Sequence, residues 1–145
     1  MWIKKIVSAS ELIDAAFEAR KNSYAPYSNY RVGACVLCEN DRMYQGCNIE
    51  NASYGATNCA ERTAVFKAVS EGNKKITAVA IVGGRDDEEN EMSDYAFPCG
   101  VCRQVLREFS VPSELQVIVA RSRTDYRTYT LEELLPQSFG PEKLG

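Results

Sequence analysis

A single-domain α/β fold, built as a layered α/β/α sandwich around a mixed five-stranded sheet, is the class this sequence predicts, and three observations lead there. The chain has 145 residues, the ordinary size of one domain with one core. Segments of period-two apolar alternation are interleaved with segments of helical period, in the order α-β-β-α-β-α-β-β-α. No repeat, low-complexity stretch or Pro/Gly/Ser linker divides the chain, so residues 1–145 are expected to form one unit. Helices interleaved with strands bury their apolar stripes by covering both faces of the sheet.

Each element has a local cause. Ser8-Ala9-Ser10-Glu11 has the form of a capping box, and Leu12, Ile13, Ala16, Phe17 and Ala19 follow at helical spacing, so a first helix is expected to about Ser23, before Ala25-Pro26. Tyr30 to Glu39 alternates, with Val32, Ala34, Val36 and Cys38 on one face and Gly33, Cys35 and Leu37 on the other. Asn40-Asp41 turns the chain into a second strand, Met43 to Asn48. After a polar loop, Asn58 and Glu61 stand as cap signals ahead of Ala64, Val65, Ala68 and Val69, which predicts a helix from about Cys59 to Gly72. Ile76 to Val82 reads as a buried strand.

Gly83-Gly84 then leads into Arg85 to Asp94, whose six carboxylates read most simply as a solvated loop. A third helix opens after Pro98, with Val101, Val105, Leu106 and Phe109 at helical spacing, and ends near Ser110-Val111-Pro112. Leu115 to Ala120 and Thr124 to Tyr129 are strand-like, and Thr130 with Glu133 caps a last short helix.

Composition narrows the function. The net charge is −3 with no strongly basic stretch, so the electrostatic footprint of a nucleic-acid binder is missing. No apolar run approaches the roughly 18 to 20 residues of a membrane span. Met1-Trp2-Ile3-Lys4-Lys5-Ile6 lacks the form of a signal peptide, which makes a cytoplasmic protein the expectation. The chain holds six cysteines and no histidine. Triads and Cys-His nucleophiles are thereby excluded, and a transition-metal site must rest on thiolates and carboxylates.

Two segments carry chemistry: Asn58-Cys59-Ala60-Glu61-Arg62 and Pro98-Cys99-Gly100-Val101-Cys102-Arg103-Gln104, each at a predicted helix start. The positive end of a helix favours the thiolate that a soft cation needs. Three thiolates leave one position of a tetrahedral zinc open, which is the catalytic pattern, and Glu61 is placed to move a proton beside it. On an ideal helix, positions 59 and 61 are about 200° apart, so both reach one ion only if it lies beyond the helix end. A Cys-x-x-Cys redox dithiol, or a structural zinc closed by Cys47, are the non-catalytic alternatives, and neither uses Glu61 or Asn48-x-Glu50. Cys35, Cys38 and Cys47 read as free thiols.

The chain resembles the small zinc cytidine deaminases. The resemblance rests on those two segments with Ala25-Pro26-Tyr27-Ser28, Val32-Gly33-Ala34, Gly46 to Gly55 and Leu134-Leu135-Pro136, in order from about Leu12 to Phe139. It implies one zinc ion per chain on Cys59, Cys99 and Cys102, Glu61 as the catalytic proton shuttle, and hydrolysis of cytidine and deoxycytidine in pyrimidine salvage. It further implies that Asn48 and Glu50 bind ribose, that the Ala60 amide meets the pyrimidine carbonyl, and that Tyr30 stacks where the family usually has Phe. Phe139 matches an aromatic that reaches a neighbouring active site, which implies a homotetramer.

Three thiolates and Zn²⁺ leave a net charge of about −1, and Arg62 is assigned to offset it by donating to the sulfurs. Arg103 and Gln104 are assigned to support of the third helix. Two features depart from the family: the acidic segment from Arg85 to Ala96 is longer, and Ala56 replaces a larger apolar residue, which would enlarge the pocket wall. Other aminated nucleosides or a polynucleotide are the alternative substrates. The ribose pair and the acidic balance weigh against them.

Overall fold

The computed structural model describes residues 7–145, so the N-terminal Met1 to Ile6, read above for a signal peptide, lies outside the described residues. The expected order of helices and strands is present: α1 (Ala9–Arg20), β1 (Tyr30–Cys38), β2 (Met43–Cys47), α2 (Ala60–Ser70), β3 (Ile76–Arg85), α3 (Gly100–Glu108), β4 (Gln116–Ala120), β5 (Tyr126–Thr130) and α4 (Leu131–Leu134). The strands form one mixed five-stranded sheet in the order β2-β1-β3-β4-β5. Within this sheet neighbouring strands pair antiparallel except β3 and β4, which pair in parallel. These two strands read as near-continuous apolar runs because both of their faces are covered.

The pleat sorts the core. Cys35, Ala80, Val82 and Ile118 pack with Leu12, Ile13, Ala16 and Phe17 of α1 on one face. Val36, Val79, Ile81, Val117 and Val119 pack with Ala64, Val65 and Ala68 of α2 and with Leu106 and Leu131 on the other. Cys35 and Cys38 therefore lie on opposite faces, as the alternation requires.

Several boundaries differ for local reasons. Ser8 Oγ accepts from the Glu11 amide at 3.2 Å and starts α1 as expected. The helix ends at Arg20, not near Ser23, because the amides of Lys21, Asn22 and Ser23 bond three residues back and tighten the last turn. Strand β3 runs on to Arg85, with Gly83 paired to Val32 and Gly84 to Arg31. Gly46 in β2 lets α2 rest on the sheet, since a Cβ there would meet the Ala64 amide nitrogen at 2.5 Å and the Ala60 carbonyl at 2.6 Å.

The acidic segment is not a simple solvated loop. Met92 is buried in the α1-side core, and its amide donates to the Arg121 carbonyl at 2.7 Å. Glu88 Oε1 accepts from the Arg85 amide at 2.9 Å and Glu88 Oε2 from the Ser93 amide at 2.6 Å, so one carboxylate closes the segment on itself.

Candidate active site

Cys59 is the N-cap of α2, with φ −76° and ψ 156°, and Cys99 is the N-cap of α3, with φ −68° and ψ 168°. An N-cap has extended backbone and stands outside the helix, so the ideal-helix angle between positions 59 and 61 does not apply. Cys59 turns back toward α3 while Glu61 belongs to the first turn of α2. Asn58, expected as a cap, instead donates from Nδ2 to Thr63 Oγ1 at 3.0 Å, and α2 has no side-chain cap.

The sulfurs of Cys59 and Cys99 are 3.8 Å apart and those of Cys99 and Cys102 are 3.5 Å apart, all three lying within 4.8 Å of one another. Four sulfurs at the usual Zn–S distance would stand about 3.8 Å apart in a tetrahedron, so this donor set fits a zinc ion with one vertex left over. Cys47 is outside the cluster and faces a separate depression with Gln45, Thr63 and Lys67, which removes the closed four-thiolate alternative. Cys35, Cys38 and Cys47 are free.

The electrostatics favour a thiolate at this point. Hydrogen bonding from Cys102, working against burial, and then the Arg62 guanidinium pull the Cys59 thiol down to about 5. Arg62 Nη2 donates to Cys59 Sγ at 3.1 Å, as anticipated, and its Nε is buried with no hydrogen-bond partner among the described residues. Glu61 is only 4% exposed, and burial pushes its carboxyl up to about 7. Such a group can take up or release a proton near neutral pH.

Above the cluster opens a cavity of about 470 Å³ whose lining includes Tyr30, Asn48, Glu50, Ala60, Glu61 and Cys59. Cys99 also lines it, whereas Cys102 is buried and joins the sulfurs from the first turn of α3. Phe139 does not line this cavity: the residue is 56% exposed, and its carbonyl accepts from Gln104 Nε2 at 2.8 Å. Arg103 donates to the carbonyls of Pro98 at 2.8 Å and Leu134 at 2.7 Å, which ties the start of α3 to the end of α4.

Ala56 is exposed in a 3-10 turn at Tyr54–Ala56 and is not part of the cavity wall, contrary to expectation. Ser28, Tyr95, Ala96 and Phe97 do line the cavity and were not singled out from sequence as contact residues. The nearest signal for the last three was their position just before Pro98-Cys99.

The model of the cytidine and deoxycytidylate deaminase zinc-binding region matches residues 7–118. A cytidine deaminase from Halalkalibacterium halodurans is 44% identical over 133 residues, covering 92% of this chain and 95% of that protein. One from Sporosarcina psychrophila is 44% identical over 138 residues, covering 95% and 96%. Among solved structures, the cytidine deaminase of Burkholderia pseudomallei superposes with a TM-score of 0.81 at 41% identity, covering 92% of this chain and all of that one. That of Mycobacterium tuberculosis gives 0.77 at 37%, covering 93% and 99%. With fold, sulfur cluster and sequence in agreement over nearly the whole length, the chain belongs to the zinc-binding cytidine and deoxycytidylate deaminase family.

Proposed function

We propose that this enzyme hydrolyses the exocyclic amine of cytidine and deoxycytidine, giving uridine or deoxyuridine and ammonia, with Cys59, Cys99 and Cys102 as metal ligands and Glu61 as the proton carrier. One observation carries the reading: of three sulfurs at zinc-binding spacing, those of Cys59 and Cys99 line a single cavity together with the buried carboxyl of Glu61. Bound zinc would supply Lewis-acid activation of a water at the position that three protein ligands leave open. Glu61 takes a proton from the attacking water and passes it to ring N3; it then takes the proton of the hydroxyl so formed at C4 and passes it to the amine, which leaves as ammonia as the C4–N bond breaks and the C4 carbonyl forms.

The remaining residues bind and orient. Ala60 is the first residue of α2, so its amide has no acceptor within the helix and is available to the pyrimidine carbonyl. Asn48 Oδ1 accepts from the Val32 amide at 2.9 Å and from the Ser23 hydroxyl, and Nδ2 gives one hydrogen to the Tyr30 carbonyl at 2.8 Å. Its other amide hydrogen is left for a sugar hydroxyl. Glu50 accepts from the amides of Tyr27 at 3.0 Å and Ser28 at 3.1 Å and from the Ser28 hydroxyl, which aims its remaining lone pair. A ribose hydroxyl between the two would accept from Asn48 and donate to Glu50. Tyr30 offers its ring to the base.

The functional unit in this proposal is a homotetramer of single-domain chains acting on free nucleosides in cytoplasmic pyrimidine salvage, with Phe139 serving a neighbouring cavity. An exposed Phe139 outside its own chain's cavity supports that role, as do the exposed rings of Tyr27 and Tyr54. No helix among the described residues is long and apolar enough to cross a membrane. The cavity lining contains two carboxylates and no Lys or Arg, which disfavours a polynucleotide. Metal analysis together with loss of cytidine absorbance tests the activity: one zinc per chain with turnover is expected, and zinc without turnover would sink it. Gel filtration at a monomer's volume would remove the role of Phe139.

A further inference from the structure

Arg20 closes α1 and is only 6% exposed. A buried arginine is ordinarily paired, yet every acceptor recorded for this side chain is a main-chain carbonyl. Nε donates to Arg31 at 2.9 Å, Nη2 to Gly84 at 3.0 Å and Arg85 at 2.7 Å, and Nη1 to Glu88 at 2.5 Å. One planar fork thus ties β1, the end of β3 and the acidic segment together. Gly33 makes the reach possible, because a Cβ there would stand 1.9 Å from the Ala16 carbonyl and 2.6 Å from the Arg20 amide nitrogen.

The segment that Arg20 holds leads into the cavity. Met92 is buried on the α1 side of the sheet, whereas Tyr95 and Ala96 pack against the core on the side of α2 and α3. Residues 86–94 therefore form a strap that rounds the end of β3 from one face of the sheet to the other. Gly84 seats it, since a Cβ there would lie 2.4 Å from Met92 Sδ. Where the strap emerges, a Cβ on Gly83 would meet Ala96 Cβ at 2.8 Å and the Tyr30 ring at 3.0 Å, so Ala96 and Tyr30 converge on the same spot of β3. Tyr95, Ala96 and Phe97 then line the cavity together with Tyr30.

We propose that Arg20 is a positioning residue for substrate binding: by holding the carbonyls of Gly84, Arg85 and Glu88 it fixes the strap, and so sets the separation between Tyr30 and the Tyr95–Phe97 wall. Hydrogen bonds and ion pairs of Arg20 and the strap run to Arg31, Gly84, Arg85, Ser93, Tyr95, Arg121 and Arg123, none of them a zinc ligand or Glu61. Loosening them widens the cleft for the nucleoside while leaving the reacting groups in place. This rests on the deaminase reading above.

Steady-state kinetics on the zinc-loaded, full-length enzyme test it, using Arg20→Lys, which keeps the charge but loses the fork, and Glu88→Ala, which frees the strap from its own amides and leaves the Arg20 side chain intact. KM for cytidine should rise about tenfold in Arg20→Lys and by a smaller factor in Glu88→Ala, with kcat per bound zinc within about twofold of wild type. A role in folding alone would lower Tm and the active fraction at constant KM, and that result in either variant would overturn the proposal. Should Arg20→Lys not fold, an unchanged KM in Glu88→Ala overturns it by itself. Wild-type enzyme without cytidine turnover fails the deaminase reading and this inference with it, whereas wild-type turnover with unchanged KM in either variant fails the inference only.

Discussion

Arg62 Nη2 stands 3.1 Å from Cys59 Sγ, so a guanidinium on α2 donates directly to a sulfur at the N-cap of the same helix. Donation of this kind draws charge from the thiolate and offsets the excess negative charge of an all-sulfur zinc shell. Arg62→Gln removes the charged donor. The variant is expected to lose about 10- to 100-fold in kcat or in zinc affinity, measured by turnover and by metal competition. Full retention of both would show that the contact is structural.

Glu61 is buried, and its raised pKa reflects a carboxyl kept out of water. Replacing it by the isosteric Gln removes a group that is costly to ionise in place and leaves the sulfurs untouched. Glu61→Gln should therefore keep its zinc and a Tm equal to or above wild type, while turnover drops by about 10²- to 10⁴-fold. Wild-type turnover in a zinc-replete variant would refute the proton-carrier role.

What was legible in the sequence was whatever has a period or a punctuating residue. The alternation of β1 correctly separates Cys35 from Cys38, and the apolar period of α2 and α3 places Cys59 and Cys99 at helix starts. The apparent conflict between positions 59 and 61 arose because a helical wheel assumes both residues are in the helix, and a cap is not. The strap was illegible for a different reason. Arg20 bonds to carbonyls, which every residue carries, so its four partners leave no mark in the sequence. Six carboxylates around Met92 likewise hide the one side chain that anchors the segment in the core.

Gly46 and Gly100 make opposite predictions about alanine. At Gly46 the added Cβ would run into backbone atoms of α2 at 2.5 and 2.6 Å, and backbone does not give way cheaply. Gly46→Ala should cost about 3 kcal/mol in urea unfolding. It should also depress kcat, because α2 carries Ala60 and Glu61. At Gly100, in the first turn of α3, nothing lies within 4 Å of the added Cβ. Gly100→Ala should stabilise by about 0.5 kcal/mol, through the smaller entropy of its unfolded chain. Equal effects at the two sites would contradict the packing of α2 on β2.

Ser28 gives the last prediction, through Glu50. The Ser28 hydroxyl is the largest influence holding the Glu50 carboxyl below the usual carboxylate range; burial opposes it, and the amides of Ser28 and Tyr27 add to it. Hydrogen bonds to the charged form lower a carboxyl pKa, so Ser28→Ala moves it up toward the ordinary value. Only ionised Glu50 accepts on both oxygens, so sugar binding is lost as pH falls through its folded pKa. That loss begins at a higher pH in the variant. The ratio of variant to wild-type KM should be smallest at neutral pH and grow as pH falls toward the ordinary carboxylate range. Stability follows the same sign: the contribution from this depressed pKa is present above the unfolded value and fades as pH drops through the folded one, so wild type and variant converge in acid. A KM ratio independent of pH would show that Ser28 does not act through the charge on Glu50.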